Sequence, residues 1–425
     1  MDDPKGSEAQ GVRVAVARRA LAILVAVNVM SQLDRQIMNV LVEPVRRDLG
    51  LSDAEIGLLV GVAFALFYSI AGLPIARIAD RGNRRNLIAI ALSIWSLMTA
   101  FCGLARNFVE LFVARIGVGV GEAGCAPPAQ SLISDYFPVR QRARALSIYQ
   151  LGVTIGILVG SIGGGFLSDH FDWRTVFFIV GLPGLALAIF TRLELPEPPR
   201  GLSDGLADTG VEPIGQVLRF LWRLPAMRHV LIAATLHTLC LAAQVTFNFA
   251  FLGRAHGLSG TEAGFAIGLL SGIAGGIGTL AGGWLGDRFG ARDPRWVLWW
   301  LAIGAAFSVP FSVFAYLTPH AAWAVACLAI GAIGSYMYTG AAHAIAQSLA
   351  KPRMRAMTAA IMLFSMNLLG YGLGPPLAGL VSDALGGEDA LRYALAAMNG
   401  VLLLSCVHYL LAARTYREDL NAKLR

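Results

Sequence analysis

The fold follows from a short basic loop that separates two long apolar runs. The loop reads Asp80-Arg81-Gly82-Asn83-Arg84-Arg85, and the runs beside it cover residues 56–79 and 86–105. A helix needs about 20 apolar residues to cross a bilayer, so each run has the length of a membrane helix. A related loop follows another such run about 210 residues later and reads Gly283-Trp284-Leu285-Gly286-Asp287-Arg288-Phe289-Gly290. The sequence therefore predicts membrane helices in two similar halves.

The apolar pattern extends over the whole chain of 425 residues. Hydrophobic residues make up 56% of it and charged residues 14%, against about 25% charged residues in a soluble protein. Twelve runs have membrane-spanning length, at 20–44, 56–79, 86–105, 108–133, 143–168, 174–192, 228–253, 262–286, 295–317, 321–348, 355–382 and 390–413. We predict an all-α integral membrane fold of twelve transmembrane helices, in two six-helix halves related by a pseudo-two-fold axis. Little room remains for a soluble catalytic domain, so we expect a protein that is not an enzyme.

The distribution of basic residues predicts how these helices are oriented. Of 34 Lys and Arg residues, 26 fall on the side of both termini and six on the other, while Arg35 and Arg115 lie inside helices. Basic loops stay in the cytoplasm, so both termini are predicted to be cytoplasmic, in a bacterial inner membrane. The predicted domains are an N-terminal arm (1–19), an N-terminal bundle (20–192), a cytoplasmic linker (193–227), a C-terminal bundle (228–413) and a cytoplasmic tail (414–425). Within the linker, residues 214–224 form an apolar stripe typical of an interfacial helix or of a helix packed on the cytoplasmic face.

Ionisable residues inside the apolar runs are the strongest candidates for function. Asp34 and Arg35 lie about 15 residues into the first run, and Arg115 and Glu122 lie about two turns apart in the fourth. Charged groups at this depth are costly and usually face a partner or a cavity. An acid in a partly dry cavity can exchange protons when access changes sides, so Asp34 and Glu122 are the predicted proton sites. Arg35 and Arg115 are the predicted contacts for an anionic head group, and purely structural ion pairs are the alternative.

Polar and aromatic side chains in the later helices are candidates to line a substrate cavity. They are Phe247, Asn248, Tyr336, Tyr338, His343 and Tyr371. Each is equally consistent with a hydrogen bond between helices.

The two basic loops suggest a conformational switch. Its candidate members are Asp80, Arg81, Arg84, Arg85, Asp287, Arg288 and Arg355. We expect Asp80, at the end of the second helix, to meet the positive N-terminal end of the eleventh helix near Arg355. That contact would stabilise an outward-open state. A basic loop that only sets topology is the alternative.

Motifs for other kinds of chemistry are absent or out of context. Residues 119–124 match the dinucleotide pattern GxGxxG but follow no predicted strand, and none of the three lysines has the neighbours of a phosphate-binding loop. The five cysteines all lie in apolar runs without a CxxC pair, as packed thiols do. We therefore predict no cofactor, no metal and no nucleic-acid partner, and an ion gradient as any energy source.

With these motifs, the whole chain resembles the major facilitator superfamily. Its loop motif GxxxDRxGRR is matched by Asp80, Arg81, Arg84 and Arg85, although Ala76 and Asn83 replace the two glycines. The second-half copy keeps both Gly283 and Gly290. Arg115 with Gly119 and Gly121 is similar to the family's fourth-helix motif. The fifth-helix glycine motif is matched by Gly156, Gly160, Gly164 and Gly165, with Ser161 in place of the usual proline.

Four segments are similar to bacterial members of the Spinster-like branch. They are Leu33-Asp34-Arg35, Gly121-Glu122-Ala123 with Asp135-Tyr136-Phe137-Pro138, Pro196-Glu197-Pro198-Pro199-Arg200-Gly201, and Arg254-Ala255-His256-Gly257-Leu258-Ser259. The resemblance implies a gradient-driven carrier whose helices one, four, seven and ten line the cavity, with animal relatives that move sphingoid and lysophospholipid molecules.

We therefore expect a monomeric, proton-coupled secondary active transporter that works by alternating access in contact with membrane lipid. Its expected substrate is an amphiphile such as a lysolipid or sphingoid-like molecule, or an organic anion. Two alternatives stay open. One is an uncoupled facilitator of small organic anions, and the other is a transporter-like sensor that moves nothing.

Overall fold

The structure, a computed structural model, describes residues 4–199, 214–387 and 389–422, without the side chains at positions 4–14, 73, 76, 80, 81, 139, 143, 214, 352, 356 and 422. All regular structure in these residues is helical. The α-helices are α1 (Pro4–Val40), α2 (Val42–Leu49), α3 (Asp53–Val60), α4 (Val62–Arg81), α5 (Arg84–Cys102), α6 (Phe108–Glu122), α7 (Ala126–Tyr136), α8 (Val139–His170), α9 (Trp173–Glu194), α10 (Ile214–Arg223), α11 (Pro225–His256), α12 (Gly260–Ile267), α13 (Gly275–Gly290), α14 (Arg295–Leu317), α15 (Ala321–Tyr336), α16 (Tyr338–Leu349), α17 (Arg355–Ser365), α18 (Gly372–Leu385) and α19 (Ala390–Ala422). Two π-helical segments, Gly268–Ala274 and Met366–Tyr371, join α12 to α13 and α17 to α18.

Eleven helical stretches in the described chain are long and apolar enough to cross a membrane. The twelfth predicted span, 108–133, is divided into α6 and α7, and neither piece reaches that length. Prolines 127 and 128 lie in the first turn of α7, where backbone N–H groups have no intrahelical partner. Proline is tolerated in this first turn but would break α6 if that helix continued, so a new helix begins here. The predicted all-helical membrane fold is confirmed, with this span interrupted.

The internal repeat appears again in the local structure. At the start of α3, the Ser52 hydroxyl accepts a hydrogen bond from the backbone N–H of Glu55 at 3.2 Å, and the Glu55 carboxylate accepts one from Ser52 N–H at 2.8 Å. Ser259 and Glu262 make the same reciprocal pair before α12, at 3.2 and 2.9 Å. Such a capping box fixes where a helix begins. The two halves therefore begin their second membrane helix in the same way.

Contacts divide the chain into two compact units. Unit 1 consists of residues 1–38 and 67–207, and unit 2 consists of residues 39–66 and 208–425. Unit 2 thus takes α2 and α3, which the sequence analysis assigned to the N-terminal bundle. The bundle boundaries at 20–192 and 228–413 stay a prediction.

Small residues let helices approach closely within each unit. In unit 1, a Cβ atom at Gly156 of α8 would lie 2.6 Å from the Val29 carbonyl oxygen of α1. In unit 2, a Cβ at Gly370 would lie 2.7 Å from Thr238 of α11. Both distances are too short for a side chain, so each position requires glycine. The repeated glycine pattern therefore reflects the same kind of helix packing in both halves.

The amphipathic segment near residue 214 forms α10 and packs within unit 2. Val217, Leu221 and Leu224 are buried in a cluster with residues of α11 and α17. Trp222 is exposed on the other side. The packed-helix interpretation is supported for this apolar face.

Candidate functional site

The four ionisable residues predicted from the sequence meet inside unit 1. Asp34 and Arg35 lie on α1, and Arg115 and Glu122 lie on α6. Glu122 is the last residue of α6, and the helix ends directly after it. A carboxylate at that position faces the negative end of the helix dipole, so a nearby cation is needed to stabilise its charged form.

Arg35 supplies that cation. Its Nε atom donates a hydrogen bond to Oε2 of Glu122 at 2.7 Å, and the Ser31 hydroxyl donates to the same oxygen at 3.2 Å. The Glu122 side chain is fully buried, whereas 31% of the Arg35 side chain is exposed. The guanidinium also lies 5.1 Å from the centre of the Tyr68 ring. Arg35 is therefore the member of the pair that a ligand can reach.

Asp34 and Arg115 lie deeper in the same cluster. Asp34 is fully buried and accepts a hydrogen bond from the Thr99 hydroxyl at 3.3 Å. Arg115 is buried as well and lies within electrostatic range of both Asp34 and Glu122. It does not face lipid. The cluster contains two acids and two arginines, which balance when all four are charged.

The predicted residues of unit 2 are distributed over several contacts. The Tyr338 ring stacks on His237 with centroids 4.0 Å apart, and its hydroxyl lies 2.9 Å from that of Thr238. Tyr316 donates a hydrogen bond to Oδ1 of Asn248 at 3.0 Å. Tyr338 and Asn248 thus join helices, as the alternative interpretation of these residues proposed.

The predicted residues of unit 2 also differ in how exposed their side chains are. Asn248 and Tyr336 line one small cavity between α11 and α15, together with Gln244 and Ser335. Tyr371 is exposed and His343 is partly buried, whereas Phe247 is fully buried. The predicted substrate contact of all six residues stays a prediction.

Among the predicted switch residues, Arg84 is the one held most firmly. It is buried in unit 1, where Nε donates to Glu197 at 2.8 Å and other nitrogens donate to Asp135 and, at 2.9 Å, to Ser131 and the Pro198 carbonyl. Arg84 therefore ties the segment after α9 to α5 and α7. Its predicted role in a conformational switch stays a prediction, and its partners were not apparent from the sequence.

The remaining switch residues whose side chains the structure describes show no comparable network. The backbone N–H of Arg85 donates to Glu197 at 2.9 Å. Asp287, Arg288 and Arg355 are exposed at helix ends. The side chains of Asp80 and Arg81 lie outside the described part of the structure, so the expected contact between Asp80 and α17 stays a prediction.

Sequence reasoning missed a charged network in unit 2, at the end of the helices predicted to face away from the cytoplasm. Arg254 of α11 donates two hydrogen bonds to Asp53, at 2.7 and 2.8 Å, and one to Glu43 at 2.5 Å. The Ser382 hydroxyl also donates to Asp53, at 2.7 Å. Asp383 accepts hydrogen bonds from the first two backbone N–H groups of α3, at 3.0 and 2.9 Å. The network fastens α2 and α3 to the ends of α11 and α18.

These residues border an open cleft of about 790 Å³, together with Arg46 and Arg47. Partial burial acts to raise the pKa of Glu43, but hydrogen bonds from Arg46, Arg254 and Arg47 outweigh it and hold that pKa below its ordinary value. Arg254 was already part of a sequence motif. The contacts of Arg254 and Ser382 with Glu43 and Asp53 were not visible from the sequence, because they join residues more than 200 positions apart.

The part of the chain that the structure describes contains no group of three His, Cys, Asp or Glu side chains arranged to hold a metal ion. The site chemistry there consists of ion pairs, amides, hydroxyls and aromatic rings.

An all-helical chain with buried ion pairs inside membrane-spanning helices is typical of a polytopic membrane transporter. Comparison with known families agrees, since the family model of the Major Facilitator Superfamily matches residues 24–368 and 249–424. The chain belongs to this superfamily, as its sequence predicted, and is a multi-pass integral membrane transporter.

Individual relatives support the Spinster-like branch. The chain is 32% identical to an MFS-type efflux pump of Mycolicibacterium smegmatis, over 100% of this chain and 98% of the relative. It is 26% identical to a probable sphingolipid transporter, spinster homolog 1, of Arabidopsis thaliana, over 80% and 74%. A solved structure of a bacterial homolog of the human lysosomal transporter Spinster, inward-facing and unoccupied, is 33% identical with a TM-score of 0.87, over 95% and 98%. The predicted resemblance to this branch is confirmed.

Proposed function

We propose that this protein is a proton-coupled secondary transporter for an amphiphile with an anionic head. The observation that carries the proposal is the pair between buried Glu122 and partly exposed Arg35. In its ionised state, Glu122 accepts a hydrogen bond from the Arg35 guanidinium, which is the group that an anionic ligand would need to contact. When Glu122 takes a proton, its attraction for Arg35 falls and the cation becomes available. Competition for one arginine would thus couple proton binding to substrate binding.

Asp34 is the second proposed proton site. It lies in the same cluster but is fully buried, with Thr99 as its hydrogen-bond donor. An ionised carboxylate there depends on Arg115 for compensation. A change of protonation at Asp34 would alter the balance between Arg115 and Glu122, so the two acids would act together.

We propose that unit 2 contributes aromatic and neutral polar surface for the substrate tail, from Tyr336, Tyr338, Tyr371 and His343. Support comes from the exposure of Tyr371 and from the cavity beside Tyr336. The spinster homologs among the relatives support an amphiphilic substrate. We also propose a monomer in a bacterial inner membrane with both termini in the cytoplasm, which the excess of basic residues on that side supports.

The test is substrate uptake by proteoliposomes with and without an imposed proton gradient. Glu122→Gln and Asp34→Asn are expected to abolish accumulation driven by the gradient and to keep the thermal stability in detergent. Glu110→Gln is the matched control, because Glu110 is an exposed acid in the first turn of the same helix. If both neutral variants still accumulate substrate against its gradient, the proton sites are assigned wrongly.

A second candidate is an uncoupled facilitator of small organic anions. It is favoured by the contacts of Asp34 and Glu122, which tie α1 to α5 and α6 and fit a purely structural role. Proton uptake upon addition of substrate to the purified protein separates the two functions. A coupled transporter takes up protons from a weakly buffered solution, whereas a facilitator does not.

A further inference from the structure

The end of α13 and the start of α14 contain an unusual concentration of tryptophan. Four of the eight tryptophans of the chain, Trp284, Trp296, Trp299 and Trp300, lie within residues 284–300. We call this segment the aromatic corner. The proposed transport mechanism uses none of these rings.

Four rings of the aromatic corner, those of Phe289, Trp296, Trp299 and Trp300, form one continuous cluster. Phe289 lies 5.7 Å from Trp296 and 5.4 Å from Trp300, measured between ring centroids. Trp296 meets Trp299 edge-on at 5.0 Å. Trp284 is 61% exposed, one turn before Phe289 on the same helix. A membrane helix that ends in such a cluster presents aromatic surface at the boundary between lipid and water.

Arginine side chains lie over these rings. The Cζ atom of Arg288 is 5.6 Å from the centre of Trp284, that of Arg292 is 6.0 Å from Phe289, and that of Arg295 is 5.2 Å from Trp299. Cation–π contacts of this kind orient a guanidinium without neutralising its charge.

The arginines differ in their acidic partners. Arg295 is paired with Asp293 at 2.8 Å. Arg288 and Arg292 are exposed, and neither has an acidic side chain within 4 Å among the residues that the structure describes. Two oriented cations therefore remain available beside an exposed indole.

We propose that the aromatic corner binds the head group of an anionic phospholipid. Arg288 and Arg292 contact its phosphate, and the tryptophans pack against the glycerol region and the upper acyl chains. Arginine holds phosphate oxygens through paired hydrogen bonds, and basic residues next to a membrane helix attract anionic lipids. A soluble phosphate ester would use the arginines but not the exposed face of Trp284, which favours a lipid as the ligand.

The test uses quenching of tryptophan fluorescence by phosphatidylcholine with brominated acyl chains, in vesicles that contain the full-length protein. The brominated lipid is diluted either with unbrominated phosphatidylcholine or with unbrominated phosphatidylglycerol. If the site prefers anionic lipid, phosphatidylglycerol relieves quenching at a lower mole fraction than phosphatidylcholine does. The expected preference is about fivefold for each available arginine, and it should weaken in about 0.5 M salt because the attraction is electrostatic.

Variants separate the arginines from a general surface effect. Arg288→Gln with Arg292→Gln should make the two diluting lipids equivalent, and Arg292→Gln alone should remove part of the preference. The matched control is Arg140→Gln with Arg144→Gln, two exposed arginines on the side also predicted to be cytoplasmic, and it should keep the full preference. Trp284→Leu should remove most of the difference in quenching between the two diluting lipids. Trp323→Leu, which removes an exposed tryptophan at the start of α15, should leave that difference in place.

Three results would overturn the proposal. They are equal quenching with both diluting lipids in the unmodified protein, an equal loss of preference in the control pair, and a preference that is insensitive to salt. If the double variant fails to fold, as judged by its thermal unfolding, the lipid preference of the Arg292→Gln variant and the salt dependence of the unmodified protein provide the test.

Discussion

At Arg35, the proposed anionic substrate would have to compete with a residue of the protein itself. Glu122 already accepts a hydrogen bond from the guanidinium, and the second pair of charges, Asp34 and Arg115, is buried beside it. With all four groups charged, the cluster has no formal charge to attract an anion. Protonation of either acid leaves one positive charge in excess. At this scale, the proposed proton coupling and the proposed preference for anions would both follow from the same charge balance.

Arg115→Ala is expected to destabilise the protein, because it leaves Asp34 and Glu122 buried with Arg35 as their remaining arginine in the cluster. Removal of one partner from a buried ion pair costs about 3–5 kcal/mol. Arg115→Lys should cost less but not restore stability, since lysine lacks the planar fork of arginine. Thermal and denaturant unfolding in detergent measure both effects.

The control for this prediction is Arg106→Ala, which truncates an exposed arginine and should change stability by less than about 0.5 kcal/mol. Equal stability of the Arg115→Ala and Arg106→Ala variants would show that Arg115 does not compensate the buried acids.

Glu43→Gln is expected to have an effect that depends on pH only in the acidic range. The pKa of Glu43 lies below its ordinary value of 4.5 in the folded protein. Its ionised form therefore stabilises the fold above the unfolded-state pKa, and this stabilisation is lost as the pH falls through the lowered folded-state pKa. The difference in thermal stability between the variant and the unmodified protein should be constant from pH 6 to 8 and shrink below about pH 4. A difference that disappears between pH 5 and 7 would contradict this origin.

At the scale of helices, the two halves keep the same plan but interrupt it differently. The second membrane helix of the first half breaks at Gly61, between α3 and α4, and its counterpart in the second half becomes π-helical from Gly268. The fifth membrane helix, α8, is continuous, whereas its counterpart contains the π-helical segment Met366–Tyr371. π-Helical segments often mark functional positions, and the second of these carries Tyr371.

These interruptions mark the limit of what the sequence predicts. The lengths of the hydrophobic runs predicted eleven of the spans, and the ionisable residues within them predicted the cluster around Glu122. Both signals are local in the sequence. The break after Glu122 and the π-helical segments depend on how neighbouring helices pack, which periodicity does not record. The Arg254 network was missed for the same reason, since Glu43, at the end of the predicted first span, and Asp53, in the loop after it, gave no local signal of their partners.

Gly57→Ala tests the packing of α3 against α18. A Cβ atom at Gly57 would lie 2.5 Å from the Pro375 carbonyl oxygen, which is backbone and cannot move aside. The variant is expected to lose about 1–3 kcal/mol of stability. Gly276→Ala in α13 is the control, because a Cβ there meets no atom within 4 Å and helix propensity alone favours alanine. Equal stability of the two variants would show that α3 does not rest on α18.

Asp383→Asn tests the end of the same helix pair. The carboxylate of Asp383 accepts two hydrogen bonds from the first turn of α3, and a negative charge at a helix N-terminus contributes about 0.3–1 kcal/mol. The variant should therefore increase the population with α3 and α18 apart by about two- to fivefold. Distances between spin labels at residues 54 and 384 would report that population. Asp389→Asn is the control, because Asp389 is an exposed acid that pairs with a residue of its own turn, and it should leave the distances unchanged. An equal change in both variants would show that Asp383 does not hold α3 against α18.

For the whole molecule, family membership fixes transport but leaves the substrate to be inferred from the surfaces that the two units offer. Unit 1 offers one partly exposed arginine within a balanced cluster, and unit 2 offers tyrosine rings and neutral polar groups. A small polar anion would use the first surface alone. An amphiphile would also gain free energy from burial of its tail, so tail length is the quantity that separates the two classes.

Affinity is expected to rise steeply with tail length in a series of single-chain phospholipids with one common head group. Each buried CH₂ contributes roughly 0.8 kcal/mol, which corresponds to about fourfold in the dissociation constant. Binding to the purified protein, measured below the concentration at which each lipid forms micelles, gives this slope directly. A flat series, with a tail-free head group that binds equally well, would identify a small organic anion as the substrate. The head group gives a separate answer. If Glu122 competes for Arg35 as proposed, an anionic head should bind more tightly to the Glu122→Gln variant than to the unmodified protein, while a zwitterionic head should show little change. A steep tail dependence without that difference would mean that Arg35 does not bind the head group, so that the tail alone selects the substrate.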